Sequence, residues 1–209
     1  MARKAPARPP RLAEYRRKRN FSATPEPRGS VGSPAAVRRF VIHKHDASQL
    51  HYDLRLEIGG VYASWAIPKG PSMNPADKRL AAAVEDHPID YGEFEGVIPS
   101  GYGAGTVMQW DTGVFTVGGD ASPEEQLAGG EIRLVMLGKK LKGAFTLVRM
   151  HGKAGGKNDR NWLMIKRRDE YADDGWEQEA PGISRSVQSN RTMDEITGAQ
   201  TIRRSRRKA

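Results

Sequence analysis

From residue 37 onward the apolar positions recur in short runs that alternate with polar ones and are separated by turn residues. Residues 38–46 read as one strand. In the next run, 50–58, Tyr52, Leu54, Leu56 and Ile58 fall on one face and His51, Asp53, Arg55 and Glu57 on the other. Gly59 and Gly60 form a two-residue turn signal, and 61–68 follows as the hairpin partner. Residues 79–87 are ambiguous, because their alanines favour a helix while their short length and surroundings favour a strand. Further short strands are expected over 92–99, 105–117, 130–138, 141–150 and 161–168, with a helical turn starting near 123–127 and a short helix over 12–19. Many short strands about ten residues apart, with glycine-rich turns, predict a mainly β chain. The expected architecture is a compact antiparallel β-barrel with short flanking helices, rather than a βαβ fold.

The 209-residue chain is long enough for one domain with a sizeable core plus tails. Residues 1–36 are rich in Pro, Arg, Ala and Ser and are extended around 22–28. Residues 37–172 hold the strand pattern. Residues 173–209 have few apolar positions and read as a disordered basic tail. Charge follows the same division. Residues 1–39 carry 11 Lys/Arg against 2 Asp/Glu, 183–209 carry 7 against 2, and 40–182 carry 16 against 21. Basic flanks on a mildly acidic body suit anchorage on nucleic acid, where each neutralised phosphate releases counterions. There is no cysteine, which excludes disulfides, a thiolate nucleophile and a zinc finger. No apolar run approaches the ~18 residues of a membrane helix, and the first residues lack a signal peptide's apolar stretch. A soluble intracellular protein is the expectation.

The polar face of 50–58 is unusual. A strand that merely met water would do well with Thr, Lys or Gln. This one sets an imidazole, a carboxylate and a guanidinium at ~7 Å intervals, two residues at ~3.3 Å rise. His and Asp ligate metals, and Arg is the preferred fork for phosphate. His43 and His45 lie on one face of the preceding strand, and either would reach His51 and Asp53 across an antiparallel pair. His45, closer to the turn, is the choice. Two histidines and one carboxylate leave open positions for water or substrate. Arg55, Lys69, Arg79 and His87 are the candidates to hold a phosphate and stabilise its transition-state charge. Ligation needs neutral imidazoles, so activity should fade below about pH 6.

Each piece alone is commonplace, and it is their clustering that distinguishes them. Residues 101–105 carry three glycines but lack the Lys-Ser/Thr of a phosphate loop, so a hairpin turn is expected there. His43-x-His45 resembles a cupin motif, but the following Glu is missing. His51-x-Asp53 with His87 resembles the facial triad of non-haem iron oxygenases, a reading that leaves the basic flanks unexplained.

Four ordered stretches carry a closer resemblance: 40–57 (FVIHKHDASQLHYDLRLE), 64–71 (SWAIPKGP), 84–96 (VEDHPIDYGEFEG) and 98–107 (IPSGYGAGTV). Over about residues 12–171 the chain resembles the 3′-phosphoesterase domain of bacterial DNA ligase D. The resemblance implies a manganese-dependent β-barrel enzyme, with cobalt or zinc as alternative ions. It implies trimming of DNA 3′ ends in non-homologous end joining, by removal of a terminal ribonucleotide and of the resulting 3′-phosphate. By motif, His45, His51 and Asp53 are the implied metal ligands. Arg55 and His87 are the implied phosphate contacts, with Tyr91 beside them, and Lys69, Arg79 and Glu85 line the site. In the leading segment Arg19 and Glu26 align with functional positions, while Asn20 replaces the usual Asp, which implies a weaker ribonuclease step. His43 stands where Gln is common, in keeping with His45 as ligand. Neither a polymerase nor a ligase domain would fit in 209 residues, so the resemblance implies a stand-alone enzyme or an excised domain, monomeric and nucleoid-associated in the bacterial cytoplasm, with ligase, polymerase and Ku in trans.

The expected mechanism is attack on phosphorus by a metal-activated water, or alternatively by His87, which otherwise serves as general acid. Glu57 is expected to support Arg55. The contrasting readings are a non-catalytic adaptor that binds DNA ends and an iron oxygenase.

Overall fold

The computed structural model describes residues 11–33, 37–150 and 160–198. Nine strands form one antiparallel sheet: β1 (Arg38–Asp46), β2 (Leu50–Ile58), β3 (Val61–Ile67), β4 (Lys78–Ala83), β5 (Gly96–Ile98), β6 (Gly105–Val117), β7 (Glu131–Gly138), β8 (Lys142–Arg149) and β9 (Asn161–Lys166). Their order is β1-β2-β3-β4-β9-β8-β7-β6-β5, and β6 also pairs with β1, which closes a barrel of eight strands. The length of β6 makes closure work. Its first residues pair with β5, its last with β7, and most of it with β1. The ambiguous stretch 79–87 supplies β4. Much of 92–99 is not strand: a 3-10 turn occupies Ile89–Glu93 and only Gly96–Ile98 pairs.

The interior is filled by alternate residues of the eight barrel strands, including Phe40, Ile42, Tyr52, Leu54, Trp65, Met108, Trp110, Phe145 and Leu147. The two sides of the barrel differ in what covers the other alternate residues. On β7 the outward positions Glu131, Arg133, Val135 and Leu137 are all exposed, the pattern of a sheet with one wet face. On β1, β2 and β3 nearly every residue is buried on both faces. The N-terminal segment and the 3-10 turn cover this wall. Helix α1 (Ala13–Arg17) buries Tyr15, whose hydroxyl donates to the Pro27 carbonyl at 2.6 Å. The segment is tied to the β2–β3 turn by Arg11 on the Gly59 carbonyl at 3.0 Å and by Gly32 N–H on the Gly60 carbonyl at 2.8 Å. Gly59 and Gly60 both have positive φ, +61° and +78°, as a primed hairpin turn demands. A Cβ on Gly60 would lie 1.9 Å from the Gly32 carbonyl oxygen, so this docking also requires glycine.

Residues 173–198 depart from the expectation of a disordered tail. Ile196 is fully buried in the core, and Trp176, Ile183 and Met193 pack against it. Polar contacts pin the same segment. Glu179 accepts from Lys44 Nζ at 2.5 Å and from the Tyr52 hydroxyl. Glu95 accepts from the Ser186 and Ser189 hydroxyls at 2.5 Å. Four apolar anchors spread over some twenty residues show no strand or helix period, which is why the segment reads as solvated in sequence. Helix α2 (Pro123–Gly129) forms where the turn was expected, with a Ser122–Glu125 capping box and Pro123 in its first turn.

Candidate metal and phosphate site

The site lies on the outer face of the doubly buried wall. Register places His45 directly opposite His51, and His43 opposite Asp53. One nitrogen each of His45 and His51 and an oxygen of Asp53 all lie within 4.8 Å of one another. His45 Nδ1 is 3.9 Å and His51 Nε2 3.7 Å from the Asp53 carboxylate. The remaining ring nitrogens are held by backbone carbonyls: His45 Nε2 donates to Gly103 at 3.0 Å, and His51 Nδ1 donates to Gln49 at 2.8 Å. A carbonyl accepts only from N–H, so in the neutral rings that ligation requires, these bonds leave His45 Nδ1 and His51 Nε2 as lone pairs on the Asp53 side. Tautomers, donor set and spacing therefore fit a divalent ion. Burial pushes the His45 pKa down, opposed by Asp53. The acid limit expected from an ordinary imidazole is accordingly moved lower at this ligand.

Arg55 extends the cluster. Its Nη2 donates to Asp53 Oδ2 at 2.9 Å, Nη1 to Ser64 Oγ at 3.1 Å and Nε to His43 Nδ1 at 3.2 Å. Its guanidinium lies over the Tyr91 ring, 4.8 Å from the centre. One N–H on each Nη stays available for a phosphate oxygen. His43 is thus not a member of the ligand set but an acceptor that aligns Arg55. Ser64 is satisfied on every side. Its hydroxyl donates to the Tyr62 carbonyl at 3.0 Å and accepts from Arg55, and it lies 3.3 Å from His87 Nδ1.

His87 is buried at 3 % exposure. Its Nδ1 donates to the Glu85 carbonyl at 2.9 Å, and its Nε2 faces Arg19 Nη2 at 3.1 Å. A guanidinium only donates, so Nε2 is the acceptor and His87 is neutral. Burial, then Arg55 and Arg19, push its pKa well below the ordinary value. A neutral imidazole with a bare Nε2 accepts a proton; it has none to give at that atom. The arrangement disfavours the general-acid role and leaves the base or nucleophile role open.

The N-terminal segment completes the pocket. Arg19 is clamped between two carboxylates, Nε on Glu26 at 2.7 Å and Nη1 on Glu85 at 3.0 Å, and Lys18 Nζ reaches the other Glu85 oxygen at 2.9 Å. These paired charges let Glu85 stay ionised although buried, with its pKa lowered by Lys18 and Arg19 against the cost of desolvation. Tyr91 packs edge-on against His87 and His43, at ring separations of 4.8 and 5.6 Å. Burial raises its hydroxyl pKa far above the ordinary value. Asn20 is exposed and accepts from the Ser22 N–H and hydroxyl, which makes it a turn former beside the site.

Other expected residues lie elsewhere. Lys69 is exposed in the loop after β3, outside the pocket lining. Arg79 sits on β4 with Ala81 and Ala83, on the opposite face from Ala82, and binds Asp77 at 2.7 Å. Glu57 does not support Arg55; it accepts from the Arg39 backbone and Nε, both at 3.2 Å. The 101–105 stretch is the tip of the β5–β6 hairpin, and its Gly103 carbonyl orients His45. Ser64, Lys18, Tyr102 and the Gly103 carbonyl were not foreseen. Ser64 was countable: from a two-residue turn at Gly59–Gly60, the register brings Ser64 opposite Arg55.

Fold and site together define a closed β-barrel with a two-histidine, one-carboxylate cluster and adjoining buried arginines on its outer wall. Comparison with protein families makes this specific. Residues 43–149 match the DNA Ligase D 3′-phosphoesterase domain, and the chain belongs to that family. It is 48 % identical over 161 residues to the "Multifunctional non-homologous end joining protein LigD" of Pseudomonas aeruginosa, covering 76 % of this chain and 19 % of that protein. A Mycolicibacterium smegmatis protein of the same name is 40 % identical over 166 residues, 77 % of this chain and 21 % of its own. The "Multifunctional non-homologous end joining DNA repair protein LigD" of Mycobacterium tuberculosis is 41 % identical over 144 residues, 68 % of this chain and 19 % of its own. The chain thus spans about a fifth of the length of these relatives. Among the described residues, no helix is long and apolar enough to cross a membrane.

Proposed function

We propose that this chain is a divalent-metal-dependent phosphoesterase that cleans DNA 3′ ends for joining, removing a terminal ribonucleotide and a 3′-phosphate to leave a 3′-hydroxyl. The observation that carries the reading is the shared use of Asp53, which faces His45 and His51 on one side and Arg55 on the other. His45, His51 and Asp53 would hold the ion, with manganese the expected one and cobalt or zinc as alternatives. Bound there, the ion supplies Lewis acidity at the phosphate. Arg55 and Arg19 bind the phosphoryl oxygens, and because both are held by buried carboxylates they are aligned before substrate arrives. His87 Nε2 takes a proton from the attacking water as the bond from phosphorus to the leaving oxygen breaks, and passes that proton to the leaving oxygen. Alternatively Nε2 itself attacks phosphorus with loss of the same oxygen, and water then cleaves the phosphohistidine. In either case the contact with Arg19 opens to free Nε2. Tyr91 excludes water beneath Arg55. The basic flanks hold the duplex, and the chain acts as a monomer in the bacterial cytoplasm alongside a ligase, a polymerase and Ku.

Labelled primer–template duplexes ending in a 3′-ribonucleotide or a 3′-phosphate test the reading on a sequencing gel with manganese. Both should shorten or lose phosphate, the ribonucleotide end more slowly because Asn20 offers no carboxylate. An unchanged pair of bands would overturn it, and DNA binding without product would favour an adaptor.

A further inference from the structure

Tyr102 stands at the apex of the β5–β6 hairpin, on the rim of the pocket, with half of its surface open. Phosphate chemistry needs no aromatic ring there, yet the ring is held in place. Gly101 and Gly103 flank it with φ of +87° and +76°, a backbone that presents the side chain between two left-handed residues. Lys18 Nζ lies over the ring at 4.6 Å from its centre and 3.4 Å from its hydroxyl. The Arg19 guanidinium follows at 5.5 Å. The next residue, Gly103, orients His45 through its carbonyl. The ring is therefore fixed by one peptide to a candidate metal ligand and by two cations to the Glu85 clamp.

The geometry points to Tyr102 as a stacking platform for the nucleobase of the 3′-terminal nucleotide. This rests on the reading that the site takes a DNA 3′ end. A phosphate seated at Arg55 and Arg19 carries its nucleoside toward the pocket mouth, where the ring offers an open π-face. Stacking of this kind is tolerant of base identity, because every base has such a face. It would hold the terminal nucleotide whichever base it bears.

A primer–template duplex with 2-aminopurine as its 3′-terminal base tests the assignment, since stacking quenches that fluorophore. The full chain should quench it, Tyr102→Phe should do the same, and Tyr102→Leu should lose the quenching with a Kd raised about 5- to 150-fold. On a duplex ending in an abasic sugar, the Leu variant and the unmodified chain should bind alike. Quenching retained by Tyr102→Leu, or an equal loss of affinity on the abasic end, would overturn the assignment, the latter because the ring would then act only by holding Lys18 and Arg19. The readout needs no turnover. Stacking without hydrolysis would sustain the platform and refute the phosphoesterase, whereas hydrolysis with no stacking would do the reverse.

Discussion

Acid should destabilise this barrel at a pH where carboxylates are still ionised. His43 and His87 are buried at 0 % and 3 % exposure, and their pKa values lie well below the ordinary 6.5. Burial is the main cause for both, reinforced by Arg55 and then by His45 for the one and Arg19 for the other. In the unfolded chain each regains its ordinary pKa. Below pH 6.5 the unfolded state therefore binds protons that the folded state refuses, and stability falls as pH falls. At pH 5 a histidine that stays neutral in the fold costs at most about 2 kcal/mol, 1.5 units at about 1.36 kcal/mol per unit, so the pair costs up to about 4 kcal/mol. That is a large share of the 5–15 kcal/mol typical of a domain. Urea unfolding followed by tryptophan fluorescence, with a chelator present at pH 7.5, 6.5, 5.5 and 5.0, measures it. His43→Gln keeps an acceptor for Arg55 and removes one titrating group, so it should recover about half of the loss between pH 7.5 and 5.0. Equal stability at the two ends of the series, or an unchanged slope in His43→Gln, would refute the assignment of neutral buried imidazoles.

Two further outcomes follow from the segments that flank the barrel. Glu85→Gln removes the carboxylate that Lys18 and Arg19 share, and charged hydrogen bonds of this kind contribute about 1.5–3 kcal/mol each. Trypsin should then cut within 16–19 at least tenfold faster while the barrel's melting temperature changes little. Ile196→Ala should cost about 2–5 kcal/mol of unfolding free energy by urea titration, because Ile196 is fully buried, whereas a solvated tail would give no change.

The alternation of 50–58 made β2 and its functional face legible, and the Gly59–Gly60 turn fixed the register that brings β3 alongside. The same pattern does not say that the polar face is itself buried, because its cover comes from α1 and the 3-10 turn, far away in the chain. On that face Arg55 pairs with Asp53, while Glu57 pairs with Arg39. Residues on one strand face need not pair when a longer-range partner such as Arg39 is nearer. Lys69 and Arg79 were candidates as cations and by resemblance, with no strand register behind them, and neither the loop after β3 nor the inward face of β4 brings them to the pocket. His43 and His45 were separated by which ring nitrogen each carbonyl or guanidinium engages, a distinction that no spacing rule contains.

Asp53→Ala tests the central claim most directly, because that carboxylate joins the candidate metal cluster to Arg55. Phosphate release from a 3′-phosphate primer should depend on added manganese, stop with chelator and fall by at least a thousandfold in the variant, about 4 kcal/mol of barrel-borne transition-state stabilisation. Undiminished release by a folded Asp53→Ala protein would contradict the account.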